Sequence, residues 1–591
     1  MMKPPPRSPR PRRDETSRLD KGPRKAIPPL APGDIRIIPL GGVEEIGKNM
    51  TAIEMDGDIM VIDIGFAFPD ENTPGVDYII PDTTYLEENK SKVRGVVITH
   101  GHLDHTGGIP YAMPKIGNPP LYTRNLTALM IKKRQEEFPH LPPLDIVVVE
   151  KEERIKIGNF KVHFFGVTHT IPDSMGIIIE TPYGRIVNPG DYKLDLDAVN
   201  GKPTEAEEKA YSIFDQGETL LLMADSTNIE NPGFSPPESE VHKNLENIIK
   251  TIKGRLIIGM FASQFERIIK VLEIVERLGR KIVIEGRSMK TNIEVAQLAG
   301  MLKIKKETII PVQEVDQHPP EKIVVLATGA QGEEFAALMR MATKQHKYFQ
   351  FKKGDTVLLS SSIIPGNERT VQRLKDNIAR QGAKIVHYRT SEVYIHSSGH
   401  GNRGEIEWLH RKIKPHFFIP IHGHHQKLHV HADLAMEIGM PEKNIIIPDN
   451  GMVIDITAKG TKIHALKETC SSRLVMVDGS GADNVKEVVI KDRVMLAQEG
   501  IFVIIAIINQ QTGKVVKSPD IISRGFVYLK ESQDLLHYVR LMVKRKIEDA
   551  TSRMNPINFD YVKNLLREEI GKYLYQKTHS RPLVLPVLIE V

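Results

Sequence analysis

The hydrophobic pattern begins near residue 34 and changes character three times. Residues 35–42, 50–54 and 59–65 are short apolar runs separated by Gly-Gly and Asp-Gly, which predicts strands joined by tight turns. The valine-rich run 93–99 predicts a buried strand. Residues 126–138 carry apolar positions at helical spacing, and 162–169 and 185–191 revert to strand-like runs. From about residue 254 strand and helix alternate. The apolar runs 255–261, 281–285, 322–327 and 355–360 are each followed by a polar or glycine-bearing loop and a helical segment, as in a small parallel α/β domain. Ser263-Gln-Phe-Glu266 has the form of a capping box and predicts a helix through Leu278, ended by Gly279. Residues 383–388 start another strand and 417–424 is strand-like again, after which 460–473 reads as a linker. In the last segment, 487–490, 501–508 and 583–588 predict strands. Leu535, Leu536, Val539, Met542, Val543 and Ile547 recur at three- and four-residue steps and predict one buried helix face in an α+β domain.

Composition narrows the class. At 591 residues several domains are expected, and 40% hydrophobic with 26% charged residues is ordinary for a soluble protein. No apolar run approaches the roughly 20 residues of a membrane helix, and the start lacks the apolar core of a secretion signal. The single cysteine, Cys470, excludes an internal disulfide. A reducing cytoplasm is expected, and no membrane partner. Net charge is only +5, yet residues 1–33 are rich in Pro, Arg and Lys and predict a disordered basic arm. RNA attraction and simple solubilisation are equally good readings of that arm.

Candidate chemistry is concentrated after the strand at 93–99. His100, His102, Asp104 and His105 fall within Ile98-Thr-His-Gly-His-Leu-Asp-His-Thr-Gly-Gly108. Residues two apart in an extended segment point the same way, so His100 and His102 can reach one ion. A sharp turn then lets Asp104 and His105 face a second. Neutral imidazoles with a carboxylate suit zinc or manganese. His169 and Asp191 repeat the theme of a metal-capable side chain at a strand's end, and Asp63 is expected to orient the histidine loop. Histidines return at 396–401 and 417–424, so the chain comes back to one site and the α/β domain is an insertion within the metal-binding domain.

The order His-x-His-x-Asp-His resembles the metallo-β-lactamase superfamily. Asp225-Ser-Thr227, His400 and His422 resemble the added motifs of its β-CASP nuclease branch. Within that branch Pro39-Leu-Gly-Gly-Val-Glu-Glu-Ile-Gly-Lys-Asn49, Asp225-Ser-Thr-Asn228, His396-Ser-Ser-Gly-His-Gly401, Pro420-Ile-His-Gly-His424 and Ser518-Pro-Asp-Ile-Ile-Ser-Arg-Gly-Phe-Val527 resemble the ribonuclease J family. The resemblance runs from about residue 34 to the end and leaves the basic arm aside. It implies an α/β chain: a metallo-β-lactamase αββα sandwich, an inserted parallel α/β (β-CASP) domain and a C-terminal α+β domain. The division expected is a basic arm at 1–33, the metal-binding domain at 34–235 and 381–459, the insertion at 236–380, a linker at 460–473 and the C-terminal domain at 474–591.

The same resemblance implies two divalent ions, Zn or Mn. His100, His102, His169 and Asp191 would hold one; Asp104, His105, Asp191 and His422 would hold the other. Asp225, His400 and Asp104 are the expected catalytic groups, with Asp225 orienting His400 as proton donor to the leaving 3′-oxygen. Phe261, Ala262, Ser263, His396, Ser397, Ser398, Gly399 and His400 are the expected substrate-binding residues, around a terminal 5′-monophosphate nucleotide. The implied activity is 5′→3′ exonuclease with some endonuclease cleavage of single-stranded RNA, in RNA maturation and decay. The implied assembly is a homodimer or homotetramer through the C-terminal domain, with possible RNA-decay or ribosome-associated partners. A DNA-processing β-CASP nuclease and a non-catalytic RNA-binding scaffold are the alternatives. A small-molecule hydrolase has no use for the insertion or for the Asp225–His400 pair.

Overall fold

The computed structural model describes residues 26–591 except 70–72, 198–200, 332, 334–335, 365, 480, 483–486, 527–531, 553 and 555. Most of the basic arm, residues 1–25, thus lies outside the described residues, as do Gly332 and Val527. Order begins before residue 34: Ile27 packs on the core, and the Arg36 Nη1 donates to the Pro28 carbonyl at 2.9 Å.

The larger compact unit, among the described residues 26–67 and 80–474, is built from two face-to-face sheets and a third, inserted one. The first sheet has the strand order Lys462–Thr469, Met452–Thr457, Ile35–Gly41, Met50–Met55, Asp58–Ile62, Val93–Val97, Leu121–Thr123, Ile146–Val148. The second has the order Phe417–Ile421, Thr219–Asp225, Gly184–Asn188, Met175–Thr181, Phe160–Gly166, Arg154–Ile157. Ile37, Ile53 and Ile62 of the first meet Phe164, Ile177 and Phe417 of the second in one dry layer. The outer face of the first sheet is covered by the segment carrying Ile109, Met113 and Ile131. That of the second is covered by Tyr211, Leu409 and Leu434. Both strand sets are buried on two sides, which is why their runs are continuously apolar rather than alternating. This is the αββα sandwich.

The inserted sheet is wholly parallel, ordered Lys281–Glu285, Ile323–Ala327, Leu256–Gly259, Thr356–Leu359, Lys384–His387. Helices Glu238–Thr251, Phe265–Arg277 and Arg287–Leu298 cover one face, and Ala337–Ala342 and Glu368–Arg380 the other. Its chain order reverses at the central strand Leu256–Gly259, so the loop 260–264 opens at the crevice where open α/β sheets take ligands. Lys384–His387 was expected in the returning segment that starts at 381. Its pairing with Thr356–Leu359 carries the inserted sheet past that boundary.

Two further expectations fail in this unit. The supposed linker 460–473 contains the strand Lys462–Thr469, antiparallel to Met452–Thr457. It is an edge strand, with Ile463 alone buried and polar residues exposed, so its pattern read as a connector. The Ser263–Glu266 capping box also does not form. The helix begins at Phe265 after Gln264, with no side-chain cap, because the Gln264 amide oxygen accepts from Arg267 instead.

The smaller unit comprises residues 68–79 and 475–591. Ile501–Ile508 pairs in parallel with Leu583–Glu590 and antiparallel with Asp520–Arg524. One face is covered by helices Gln533–Thr551 and Phe559–Thr578, with Leu536, Val539, Val543 and Ile547 buried as the spacing requires. Residues 487–490, expected as a strand, open the helix Glu487–Glu499. Three consecutive β-branched residues suggest a strand, but the following KDRVMLAQE segment favours helix, and Val488 and Val489 stay exposed. Residues 68–79 were expected in the metal-binding domain. They join the smaller unit because Tyr78–Ile80 pairs with Val475–Asp478 and Arg493 donates to the Pro74 and Gly75 carbonyls.

Candidate metal centre

The centre forms where strands of the two facing sheets end. After Val93–Val97, Thr99 donates from its N and its hydroxyl to Asp63, and the other Asp63 oxygen takes the His105 Nδ1 proton at 2.8 Å. Asp63 thus orients the histidine loop, from a backbone held at φ +60. His102 caps a single helical turn, Leu103–Thr106, that turns Asp104 and His105 inward. Gly65 lies against this turn so closely that a Cβ there would sit 1.6 Å from the Asp104 carbonyl oxygen; a glycine is obligatory. His169 and Asp191 each lie three residues beyond their strands, and His422 follows Phe417–Ile421 directly.

Two groups of four match the expected ligand sets, each with one potential ligand atom per residue within 4.8 Å of the others: His100, His102, His169, Asp191 and Asp104, His105, Asp191, His422; Asp191, Asp225, His400 and His422 form an overlapping group of the same kind. In the first, His102 Nδ1 is 3.0 Å from His100 Nε2 and 3.1 Å from His169 Nε2. In the second, His422 Nε2 is 3.1 Å from Asp104 Oδ2, and His105 Nε2 is 3.2 Å from Asp191 Oδ2. Asp191 is shared, and its Oδ2 is buried with no hydrogen bond, an orphaned anion at the junction.

Every histidine of the two groups spends its other ring nitrogen on orientation. His100 Nδ1 meets Thr99 Oγ1, His102 Nε2 meets Thr170 Oγ1, and His169 Nδ1 donates to the Gly399 carbonyl at 2.7 Å. His105 Nδ1 donates to Asp63, and His422 Nδ1 meets Thr227 Oγ1 at 2.7 Å. That division of labour is what metal-binding imidazoles require. Burial and neighbouring imidazoles hold His100 and His169 well below the ordinary value. Burial brings His102 to about 4, so all three present lone pairs. At His105 and His422 burial works against protonation, but the carboxylates beside them, Asp191 first, raise both. The donor set, with a buried carboxylate oxygen at its middle that accepts no hydrogen bond and is ringed by imidazoles, fits divalent metal ions.

His400 lies beside the second group. Its Nδ1 donates to Asp225 Oδ2 at 2.7 Å, while Asp225 Oδ1 accepts the Thr227 backbone N–H. Asp225 thus bonds its own turn through one oxygen and His400 through the other. Burial lowers the His400 affinity for a proton, but Asp225 and Asp191 outweigh it and hold the imidazole above its usual range.

The 396–400 loop is pinned from behind. Ser397 Oγ donates to the Pro236 carbonyl, and Ser398 Oγ accepts from Asn228. Gly399 has no room for a Cβ, which would meet the His169 ring at 2.6 Å. His396 Nδ1 accepts from Arg267, leaving a buried Nε2 with no partner. Phe261, Ala262 and Ser263 are half-buried in the loop ahead of the helix that carries Arg267, and Asn292 donates to the Ala262 carbonyl.

Sequence reasoning missed the charged side of this pocket. Arg267 forks onto Glu238 at 2.7 and 2.9 Å, and Lys193 reaches Glu238 at 3.2 Å. Burial would raise the Glu238 carboxyl; Arg267 and Lys193 instead bring it to about 2. His169, Thr170, Lys193, Glu238, Gln264, Glu266 and Arg267 line a small polar cavity there. The available signal was Arg267 itself, a cation between Phe265 and Ile268 on an otherwise apolar helix face.

Known families coincide with these parts. Residues 45–240 match the metallo-β-lactamase superfamily, 253–378 the ribonuclease J β-CASP domain, 386–448 the RNA specificity domain of Zn-dependent metallo-hydrolases, and 488–591 the ribonuclease J C-terminal domain. A ribonuclease J2 from Bacillus subtilis is 33% identical over 558 residues, 94% of this chain and 99% of the relative. A ribonuclease J 2 from Staphylococcus aureus is 34% identical, over 94% and 98%. A crystal structure of a protein of unknown function from Enterococcus faecalis V583 shares the fold, with TM-score 0.51 at 17% identity. It covers 71% of this chain and 100% of that one. With metal-capable groups at the ends of the sandwich strands and both ribonuclease J domains in place, the chain belongs to the ribonuclease J family of metal-dependent ribonucleases.

Proposed function

We propose that the chain hydrolyses single-stranded RNA from its 5′ end, preferring a 5′-monophosphate, with some internal cleavage, in RNA maturation and decay. Two ions, zinc or manganese, would be held by the two groups that share Asp191. When bound they supply an acidified water and offset charge developing on the phosphate oxygens. The chain's own residues do the rest. Asp104, the most open member of the second group, faces the substrate side with a side chain 29% exposed. Asp225 fixes the proton of His400 on Nδ1 and stabilises the imidazolium, so that His400 can protonate the departing 3′-oxygen. His396, Ser398, Gly399 and the 261–263 loop would enclose the terminal nucleotide, with Lys193 and Arg267 supplying positive charge to its phosphate. The observation that carries this reading is the Asp225–His400 hydrogen bond beside two metal-capable groups with an orphaned shared carboxylate.

Association of subunits through the C-terminal unit is part of the proposal. The uncovered side of its sheet exposes Ile522, Leu585, Val587 and Ile589, an apolar face suited to a second copy. The lone cysteine, Cys470, is buried, and a cytoplasmic location is part of the same proposal. The test is digestion of one RNA carrying a 5′-monophosphate or a 5′-triphosphate, and of matched DNA, in added manganese or zinc. Early release of mononucleotide from the monophosphate RNA alone is expected. Internal fragments as the main product at equal rates from both 5′ ends, a preference for DNA, or RNA binding without cleavage would each refute the stated activity.

A further inference from the structure

Away from the buried centre, a third set of side chains converges on the far end of the ribbon that carries His422. Val43–Glu44 pairs in parallel with Gly423–His424, placing Glu44 opposite His424, and His422 N donates to the Gly42 carbonyl at 2.7 Å. His425 is the first residue of the helix His425–Glu437, and Asp449 lies in the turn before Met452–Thr457. One ligand atom each from Glu44, His425 and Asp449 falls within 4.8 Å of the other two.

Three local arrangements make this more than a crowded surface. Asn450, next to Asp449, holds Glu44 in place: its N donates to Glu44 Oε2 at 3.1 Å, and its side chain takes the Val43 N–H and donates to Glu45. His425 Nδ1 stands 3.6 Å from Asp449 Oδ1, too far for a hydrogen bond. Two ligands on one ion with bonds of about 2.0–2.2 Å lie about 3.3–3.6 Å apart, so the gap suits an intervening ion. The other nitrogen, His425 Nε2, is 3.3 Å from His429 Nε2, one helical turn on. A ligating imidazole is usually steadied in this way through its second nitrogen. A bare His425–Asp449 ion pair, half exposed, would contribute little by itself.

We propose that Glu44, His425 and Asp449 form a separate binding site for a first-row divalent cation of the manganese or zinc class. One imidazole nitrogen and two carboxylate oxygens leave the remaining positions to water, so the ion is exchangeable and more weakly held than in the buried centre. It ties together three segments distant in sequence, at 44, 425 and 449. It therefore steadies the ribbon that positions His422 without taking part in cleavage.

The experiment uses the full chain with its buried centre filled with zinc and excess metal removed, titrated with Mn(II) and followed by the electron paramagnetic resonance of free Mn(II). Wild type is expected to take up one Mn(II) per chain. His425→Ala and Asp449→Asn, both with half-exposed side chains, should bind it at least tenfold more weakly at unchanged zinc content. Mn(II) should also slow amide hydrogen exchange at 43–45 and 423–426 in wild type and in neither variant. Identical Mn(II) uptake by all three proteins, or no uptake by wild type up to millimolar Mn(II), overturns the proposal.

Discussion

Asp225→Asn is the sharpest probe of the proposed acid. The substitution is isosteric, and the Thr227 N–H will keep the amide oxygen where Asp225 Oδ1 now stands. The amide NH2 then faces His400 Nδ1 at the position of Oδ2, 2.7 Å away, where two donors collide. The ring responds by moving its proton to Nε2 and accepting at Nδ1, so a neutral imidazole replaces the stabilised imidazolium. Loss of one positioned general acid costs about 10²–10³ in kcat, or roughly 3–4 kcal/mol of barrier. The assay is single-turnover cleavage of 5′-monophosphate RNA, beside the same RNA with sulfur bridging at the first 3′ position. Sulfur leaves as a thiolate without needing a proton. The Asn variant should be crippled on the oxygen substrate and close to wild type on the sulfur one, with metal content unchanged. Equal loss on both substrates would mean that Asp225 acts by holding the loop. A loss under threefold on the oxygen substrate would sink the assignment of His400.

Other predictions follow from the packing and the buried charges. Arg267→Met leaves Glu238 buried with Lys193 and His242 beside it and should cost roughly 3–5 kcal/mol by chemical denaturation, whereas the Arg267→Met, Glu238→Gln double variant should recover most of it. Burial raises the Glu207 carboxyl to about 7, above its ordinary 4.5; it accepts from Thr168 and Asp195, and its second oxygen is buried without a partner. Because the folded value exceeds the unfolded one, stability is full below about pH 4.5 and falls as pH rises through 7, by roughly 3 kcal/mol. Glu207→Gln should flatten melting temperature between pH 5 and 8, and an unchanged slope would refute the linkage. Leu566→Ala, at a fully buried position in the smaller unit, should cost about 2–5 kcal/mol. Chelation should abolish cleavage while RNA is still retained in a gel-shift assay, and loss of both together would assign the metals to folding instead.

How much of this was legible in the chain depends on the range of the signal. The strands at Ile35–Gly41, Met50–Met55 and Ile501–Ile508 were readable because burial on one or both faces writes itself directly into consecutive residues. The buried centre was readable for a different reason: imidazoles and carboxylates at strand ends have few other uses in such density. What failed was whatever depended on a partner far along the chain. Lys462–Thr469 is a strand only because Met452–Thr457 lies beside it, and residues 68–79 join the smaller unit through pairing with 475–478. Lys193 and Glu238 acquire meaning only once Arg267 is folded between them.

The same distinction explains the architecture of the site. Each imidazole of the buried centre takes its orientation from a group outside the ligand set: Thr99, Thr170, the Gly399 carbonyl, Asp63 and Thr227. Two of these five come from the stretches proposed to bear the substrate chemistry, since Gly399 precedes His400 and the Thr227 N–H donates to Asp225. Displacing the 396–400 loop would release the His169 ring, and displacing the 225–227 turn would free both His422 and His400. Geometry of the metal-capable groups and geometry of His400 are thus set by the same two loops. The loops proposed to read RNA are therefore also the loops that hold the metal-capable side chains in register.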